Sequence, residues 1–364
     1  MTVPNALATI RAGLRPADLD VVATMERVKA TYFATPTHGA VEKQLNVVLQ
    51  QLLERRDPAL PVGPDNVVEA RGFVLSGQAR AGKSRALSEV FRGHPSLPGY
   101  GDARADCPLV TVVPQGACTL GRFGQDVFEQ LGLPIVNIPT GKNYELKLAH
   151  MIRNRLKIRG IKILHVDEAH HVTEPANKTE IKKIINMFKY LMIYLDWPVA
   201  VILSGIPELV SAIRKDPQLS GRMAFTAATG LVPKTDYRRI EHVVGELASV
   251  AGLSIASGEL AAVVPRLIHA GNRQLGRSIE ITYDAIRFAL TERQAAISLH
   301  TFARAYVQSR GVAPEHNPFV ARDWRLTDPL LVLEKPPKQR LLRAQKVKRA
   351  SLATDDDFDE EDEA

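Results

Sequence analysis

The spacing of apolar positions divides the chain at about residue 234. Before that point, short apolar runs alternate with segments of helical period. Residues 72–76, 109–113, 161–166 and 199–203 are runs of five or six, too short for helices and bounded by Gly, Pro or polar side chains. They predict strands, and a fifth short strand is expected within 224–231. Helices are predicted from 85, over 120–131 (Phe123, Val127, Phe128 and Leu131 on one side), over 144–159 with Gly160 as its stop, and over 181–195. Upstream, Val41, Leu45, Val48, Leu49, Leu52 and Leu53 recur at helical spacing, which predicts a helix over about 38–56. Thr35-Pro36-Thr37 starts it, Asp57-Pro58 ends it, and Pro58, Pro61, Gly63 and Pro64 mark a loop. Strands separated by helices argue for an α/β class with a parallel sheet covered on both faces.

After residue 234 the strand signals fade. Residues 240–251, 257–270, 273–290 and 299–309 read as helices, and no repeat period is present. Residues 313–337 are punctuated by Pro314, Pro318, Pro329, Pro336 and Pro337 and are expected to be extended. The expected domains are a helical extension over 1–62, an α/β core over 63–233, a helical lid over 234–312, and a Pro-punctuated tail over 313–364.

Composition narrows the class. At 364 residues, 45% hydrophobic and 24% charged, the chain reads as globular, with room for a core and a second small domain. It has no run of 18 apolar residues and no apolar stretch near its start, so neither a membrane span nor a signal peptide is expected. Cys107 and Cys118 make no disulfide framework, which fits a reducing cytoplasm. The charge is unevenly spread. Residues 335–349 hold seven bases and no acid, and 355–363 hold eight acids and no base. Taking those eight negative charges from a formal +7 leaves +15 on the remainder, which suggests a polyanionic partner such as nucleic acid. The acidic end should be disordered and could compete with the basic arm for DNA.

Two motifs carry chemistry. Gly77-Gln78-Ala79-Arg80-Ala81-Gly82-Lys83-Ser84, with Arg85 following, is G-x-x-x-x-G-K-S between a predicted strand and a predicted helix. Glycines let the backbone close around an anion, and the helix N-terminus adds positive potential there. Lys83 can reach the β- and γ-phosphates, and the Ser84 hydroxyl can hold Mg²⁺. The second motif, IKILHVDEAHHV, delivers Asp167 and Glu168 at the end of a strand. Asp167 can orient Mg²⁺ and Glu168 can polarise a water. Asp167-Glu168-Ala169-His170 also spells a helicase box, but the chain lacks room for a second motor domain. His165, His170 and His171 could be read as metal ligands, although they lack a clear ligand spacing. A further strand ends in Ser204-Gly205, where a polar side chain would sit between the two motifs.

This order of motifs, followed by a helical lid, is similar to the AAA+ ATPases. Within them, VDEAHHV, LSGIPEL and the upstream helix resemble the TniB/TnsC family of DNA-transposition ATPases, over roughly residues 25–290. The resemblance implies Mg²⁺-dependent hydrolysis of ATP to ADP and phosphate. It also implies a homo-oligomer, ring or filament, on double-stranded DNA, and recruitment or activation of a DDE transposase, usually with a TniQ-type targeting partner. ExeA-type secretion ATPases share much of this core, so an assembly ATPase acting on protein partners is the alternative. Carried over residue by residue, Ser204 resembles sensor 1, and Arg222 in Gln218-Leu219-Ser220-Gly221-Arg222 resembles the arginine finger, with Arg214 as a competitor. Arg273 in Gly271-Asn272-Arg273 resembles sensor 2. It departs from the family's G-N-x-R spacing by one residue, which leaves Arg277 as an alternative. Thr119, Arg122, Lys142 and Asn143 are candidates for contacts to the DNA backbone.

Overall fold

Strands that are buried on both faces need mostly apolar side chains, and the central runs here supply them. The computed structural model describes residues 5–331 apart from 62, 64–65, 103–104, 134–136, 174–177 and 256–257. The basic and acidic runs of the tail lie outside the described residues. In chain order the elements are α1 (Ala6–Gly13), α2 (Pro16–Ala30), α3 (Pro36–Leu52), β1 (Gly72–Ser76), α4 (Lys83–Gly93), β2 (Leu109–Val112), α5 (Leu120–Gln130), α6 (Tyr144–Ile158) and β3 (Ile163–Val166). There follow α7 (Lys178–Ile193), β4 (Ala200–Gly205), α8 (Pro207–Arg214), α9 (Pro217–Ser220), β5 (Met223–Ala227), α10 (Pro233–Val250), β6 (Ser254–Ile255), α11 (Glu259–Ala270), α12 (Leu275–Thr291), β7 (Ala296–Ile297) and α13 (Leu299–Arg310).

The chain forms two compact units. One comprises Tyr32–Val232 with Gln274–Arg277; the other comprises the described residues of Met1–Thr31, Pro233–Arg273 and Ser278–Ala364. The first holds a five-stranded parallel sheet of order β2-β3-β4-β1-β5. Phe73, Leu75, Leu109, Ile163, Ala200 and Ile202 point to one face, where they meet Val41 and Leu45 of α3 and Leu87 and Phe91 of α4. Val74, Val112, Leu164, Val166, Val201 and Leu203 point to the other, against Phe123 of α5, Ile152 of α6 and Phe188 of α7. Helix α3 starts where the sequence places it, with the Thr35 side chain accepting from the His38 N–H and Pro36 in the first turn.

The second unit is helical, with β6 and β7 as a short parallel pair. Ser298 and Thr301 form a reciprocal capping box at the start of α13. Within the expected helical extension over 1–62, α1 and α2 had no readable bounds, because α1 buries no side chain and α2 buries only Met25 and Val28. Residues 313–331 differ from the expected extended segment. They make 3₁₀ turns at Pro314–His316 and Trp324–Leu326 and pack on the unit. Asn317 is fully buried there; its amide donates to the Ala303 carbonyl and accepts from the Phe319 N–H, both at 2.9 Å. Phe319 packs against Phe302 with tilted rings and edge-on against Tyr306. No helix among the described residues is long and apolar enough to cross a membrane.

Candidate nucleotide site

The chain leaves β1 for the edge strand β2 and returns through β3 and β4 to the side of β1. Open parallel sheets hold ligands at the strand C-termini around such a reversal. The first sequence motif is the loop that follows β1 there. The Gly77 N–H donates to the Gly205 carbonyl (3.1 Å), which ties the loop to the end of β4, and the Ala81 N–H donates to the Gln78 carbonyl (3.1 Å). Arg80 has φ +63° and Gly82 φ +87°. The left-handed Gly82 caps α4, and its carbonyl accepts from the Ala86 N–H at 2.9 Å. A side chain at that position would resist the conformation. The turn aims the N-terminal N–H groups and dipole of α4 at the loop, a ready site for an anion.

Lys83 is 5% exposed, and its Nζ donates to the carbonyls of Gly77 (2.8 Å) and Gln78 (3.0 Å). Burial pushes its pKa down, and the carboxylates of Glu168 and Asp167 pull it back up. Asp167, at the end of β3, accepts from the Ser204 hydroxyl at 2.5 Å and from the Glu168 N–H at 3.0 Å, and Ser84 also hydrogen-bonds to it. Burial would raise the Asp167 carboxyl, but the hydrogen bonds from Ser204, Ser84 and the Glu168 N–H help to hold the group below its ordinary value. The structure therefore brings Lys83, Ser84, Asp167 and Ser204 together. Glu168 follows with φ +51°, its side chain 41% exposed and its Oε2 at 3.2 Å from His170 Nδ1. Arg85 is half turned away: its side chain pairs with Glu89 (3.0 Å) and lies over the Tyr32 ring.

Sequence reasoning missed what stands behind Asp167. His165 is not grouped with His170 and His171, which stack on each other at 4.2 Å. Its Nδ1 meets Thr111 Oγ1 at 3.0 Å and its Nε2 meets Ser204 Oγ at 2.9 Å, and Tyr100 OH lies 2.8 Å beyond Thr111. Burial pushes the His165 ring down to about 4, against the pull of the Asp167 carboxylate. The signal was available as period-two spacing, because Thr111, His165 and Ser204 each continue the inward series of their strand. Among the described residues, no cluster of three His, Cys, Asp or Glu could hold a metal ion.

Arg222 is elsewhere. It precedes β5, and its carbonyl accepts from the N–H of Gly72, the first residue of β1. The loop that holds Lys83 follows the other end of that strand, about 16 Å away at 3.3 Å per residue. Arg222 thus does not reach the loop of its own chain. Its guanidinium pairs with Glu69 (2.8 and 3.1 Å) and donates to the Gln218 carbonyl (2.8 Å). The Arg214 guanidinium lies over the Phe225 ring. Arg273 belongs to the helical unit, whereas Gln274–Arg277 belong to the sheet unit, where Gly276 faces the Arg80 carbonyl. Thr119 caps α5 by accepting from the Arg122 N–H (3.3 Å), and Arg122 pairs with Asp126 (2.9 Å). Lys142 and Asn143 are exposed ahead of α6.

A family model described as bacterial TniB protein matches residues 44–230, just over half of the chain. No curated protein matches the sequence. Among solved structures, the chain is similar to Cdc6p from Pyrobaculum aerophilum, with 15% identity and TM-score 0.54 over 80% of this chain and 75% of that one. It is also similar to the Aeropyrum pernix ORC1 protein in complex with DNA (16%, TM-score 0.50, 78% and 67%) and to the Aeropyrum pernix ORC2 protein in ADPNP-ADP complexes (12%, TM-score 0.51, 80% and 75%). At such identities the likeness is one of fold, and the fold is that of the AAA+ ATPases.

Proposed function

The chain belongs to the family of bacterial TniB proteins, and on that premise we propose that it is an ATP-dependent DNA-binding regulator of transposition. It hydrolyses ATP, assembles on double-stranded DNA as a ring or filament, and recruits or activates a DDE transposase, with a TniQ-type targeting protein as a further partner. The observation that carries the reading is the meeting of the two motifs. Ser84, from the loop after β1, hydrogen-bonds to Asp167, from the end of β3. A hydroxyl and an ionised carboxylate side by side fit Mg²⁺, which takes one or two protein oxygens and completes its shell with water and phosphate. When bound, the ion supplies positive charge to the phosphates.

The chain's own residues do the rest. The loop 77–82 and the N-terminus of α4 hold the phosphates, and Lys83 exchanges its two carbonyl partners for β- and γ-oxygens. Glu168 orients a water and takes its proton at the carboxylate. Arg222 completes a neighbouring copy's site, which makes turnover depend on assembly; its place at the far end of the sheet supports this. Arg273 or Arg277 is the nucleotide sensor. DNA contact is supported by the +15 formal charge outside the acidic end and by the ORC1 protein having been solved with DNA. Arg122, Lys142 and Thr119 are its candidates, and such contacts would be independent of sequence and steeply salt-dependent. The cytoplasm suits the two free cysteines, both buried.

The test combines turnover with electron microscopy on duplex DNA. The parent should form rings or filaments with a non-hydrolysable ATP analogue and lose them with ADP. Glu168→Gln should bind ATP and assemble but turn over at least about 100-fold more slowly, the usual scale for a lost general base. Lys83→Ala should lose both binding and assembly. Monomers alone on DNA under every nucleotide condition would defeat the proposal.

A further inference from the structure

Thr111 of β2, His165 of β3 and Ser204 of β4 lie on one face of the sheet. Thr111 is the register partner of His165, and Ser204 stands two residues after Ile202, the partner of His165 on its other side. His165 is 2% exposed and Ser204 is fully buried. The imidazole cannot turn freely, because the Phe91 ring from α4 packs edge-on against it (5.3 Å, 73°) and likewise against Tyr100 (5.2 Å, 73°).

The direction of each hydrogen bond follows from the carboxylate end. An ionised Asp167 only accepts, so Ser204 gives it its single proton. The Ser204 oxygen must then accept from His165, which puts the ring proton on Nε2. The two nitrogens of this buried ring meet hydroxyls, and a buried imidazole with no carboxylate bonded to it is neutral, so its other nitrogen is an acceptor and Thr111 donates to Nδ1. The Thr111 oxygen accepts in turn from Tyr100. With the opposite tautomer, either two acceptors would face each other at 2.9 Å in a buried site, or Ser204 would turn away from Asp167. Both leave a buried polar group unpaired.

We propose that His165 is a positioning residue, which as its Nε2–H tautomer commits the Ser204 proton to Asp167 and so fixes the carboxylate that orients the metal. The tautomer is selected from behind by Thr111 and Tyr100. In this arrangement Ser204 acts on Asp167, and its proton is not offered to a phosphate oxygen. The inference rests on the reading of Asp167 as the metal-orienting carboxylate of an ATP site, and its test separates the two.

The tautomer is measured directly, from the two ring ¹⁵N shifts of His165 in histidine-labelled parent protein, assigned by loss of the signal in His165→Gln. Nε2–H is expected; Nδ1–H or an imidazolium at neutral pH would overturn the proposal. The consequence is measured by calorimetric titration of ATP with Mg²⁺ and with EDTA. In His165→Leu the affinity gained from Mg²⁺ should shrink about tenfold, with affinity in EDTA unchanged. In His165→Gln, whose amide can still donate to Ser204, it should stay within about threefold of the parent. A purely packing role predicts the reverse order, because leucine suits the apolar face better than glutamine, and that order would also overturn the proposal. If the folded parent binds no ATP, the nucleotide reading fails, and the ¹⁵N shifts still decide the tautomer.

Discussion

Gly276→Ala tests how the phosphate loop is held. Gly276 is the second residue of α12 and belongs with the sheet unit. An ideal Cβ there would lie 2.5 Å from the Arg80 carbonyl oxygen, 3.3 Å from the Arg80 carbonyl carbon and 3.6 Å from the Gly82 nitrogen. The first distance is well inside contact, and the obstacle is backbone, so no side chain can swing aside. Arg80 already sits at φ +63° and Gly82 at φ +87°, so the loop has few conformations in which to absorb the displacement. Overpacking of this kind costs about 1–3 kcal/mol. If the cost falls on the nucleotide-ready shape of the loop, ATP binds about 5- to 150-fold more weakly. Equilibrium titration with a fluorescent ATP analogue measures this, with urea unfolding run in parallel to show that the chain still folds. Gly245→Ala is the control: it lies within α10, and a methyl added there would meet no atom within 4 Å, so it should bind as the parent does and gain about 0.5–1 kcal/mol of stability from helix propensity. ATP affinity in Gly276→Ala within twofold of the parent would refute the view that this contact shapes the loop.

Other substitutions probe other parts. Arg222→Ala should leave ATP affinity unchanged and cut turnover in the assembled state about 10³-fold or more, whereas Glu69→Gln, which removes only a half-exposed ion pair worth about 0–1 kcal/mol, should change turnover less than fivefold; equal losses in both would contradict the distinction. Asn317→Ala leaves the Ala303 carbonyl and the Phe319 N–H without their buried partner and should cost about 2–4 kcal/mol in urea unfolding; a loss under 1 kcal/mol would show that residues 313–331 are not fastened by it. Lys162, over the Trp197 ring, is pushed down to about 8 by burial. Between pH 8 and 10.5 the unfolded chain therefore holds more protons than the native one, so stability should rise with pH across that window, by at most about 2 kcal/mol after allowance for partial exposure. Lys162→Met should flatten the rise, and an identical pH profile in both proteins would refute the assignment.

The sheet and most of its helices were legible because both kinds of signal were strong there. Strands such as Ala200–Gly205 are buried at every position, and their flanking residues announce their ends. The two motifs were legible for the same reason, since glycine, lysine and serine stand between a clear strand and a clear helix. What escaped has a physical cause in each instance. Helix α1 buries nothing, so it carries no periodic signal. Residues 313–331 hold their place through Asn317, Phe319 and Arg266, whose guanidinium donates to the carbonyls of Pro318 and Ala321, and such irregular contacts have no spacing to read. The pairing of Arg222 with Glu69 joins residues 153 apart. His165 is visible in the sequence but has no clear role there beyond an ill-spaced metal-ligand alternative, because a polar residue inside an apolar strand has meaning only when the neighbouring strands are in register beside it.

That register makes a last prediction possible, because it sets stability against function at one place. The inward series of β2, β3 and β4 are apolar at Leu109, Ile163, Ala200 and Ile202, and then turn polar together at Thr111, His165 and Ser204. An apolar surrounding strengthens each hydrogen bond in this row and raises the cost of any that is left unmade. His165→Leu alone should therefore destabilise the chain by about 1–3 kcal/mol, because Ser204 loses its donor and Thr111 its acceptor. Adding Thr111→Val removes one of the stranded groups and lets Leu and Val pack on Phe91, while the half-buried Tyr100 hydroxyl that loses its acceptor can turn to water, so the double variant should recover at least half of that loss in urea unfolding. Its response to Mg²⁺ should not recover, because the Ser204 oxygen then lacks the Nε2–H that fixes the hydroxyl in place beside Asp167. Stability regained without metal response is the signature of a positioning row. A double variant that regains both would show that Asp167 is held by the shape of the sheet and not by the row of hydrogen bonds behind it.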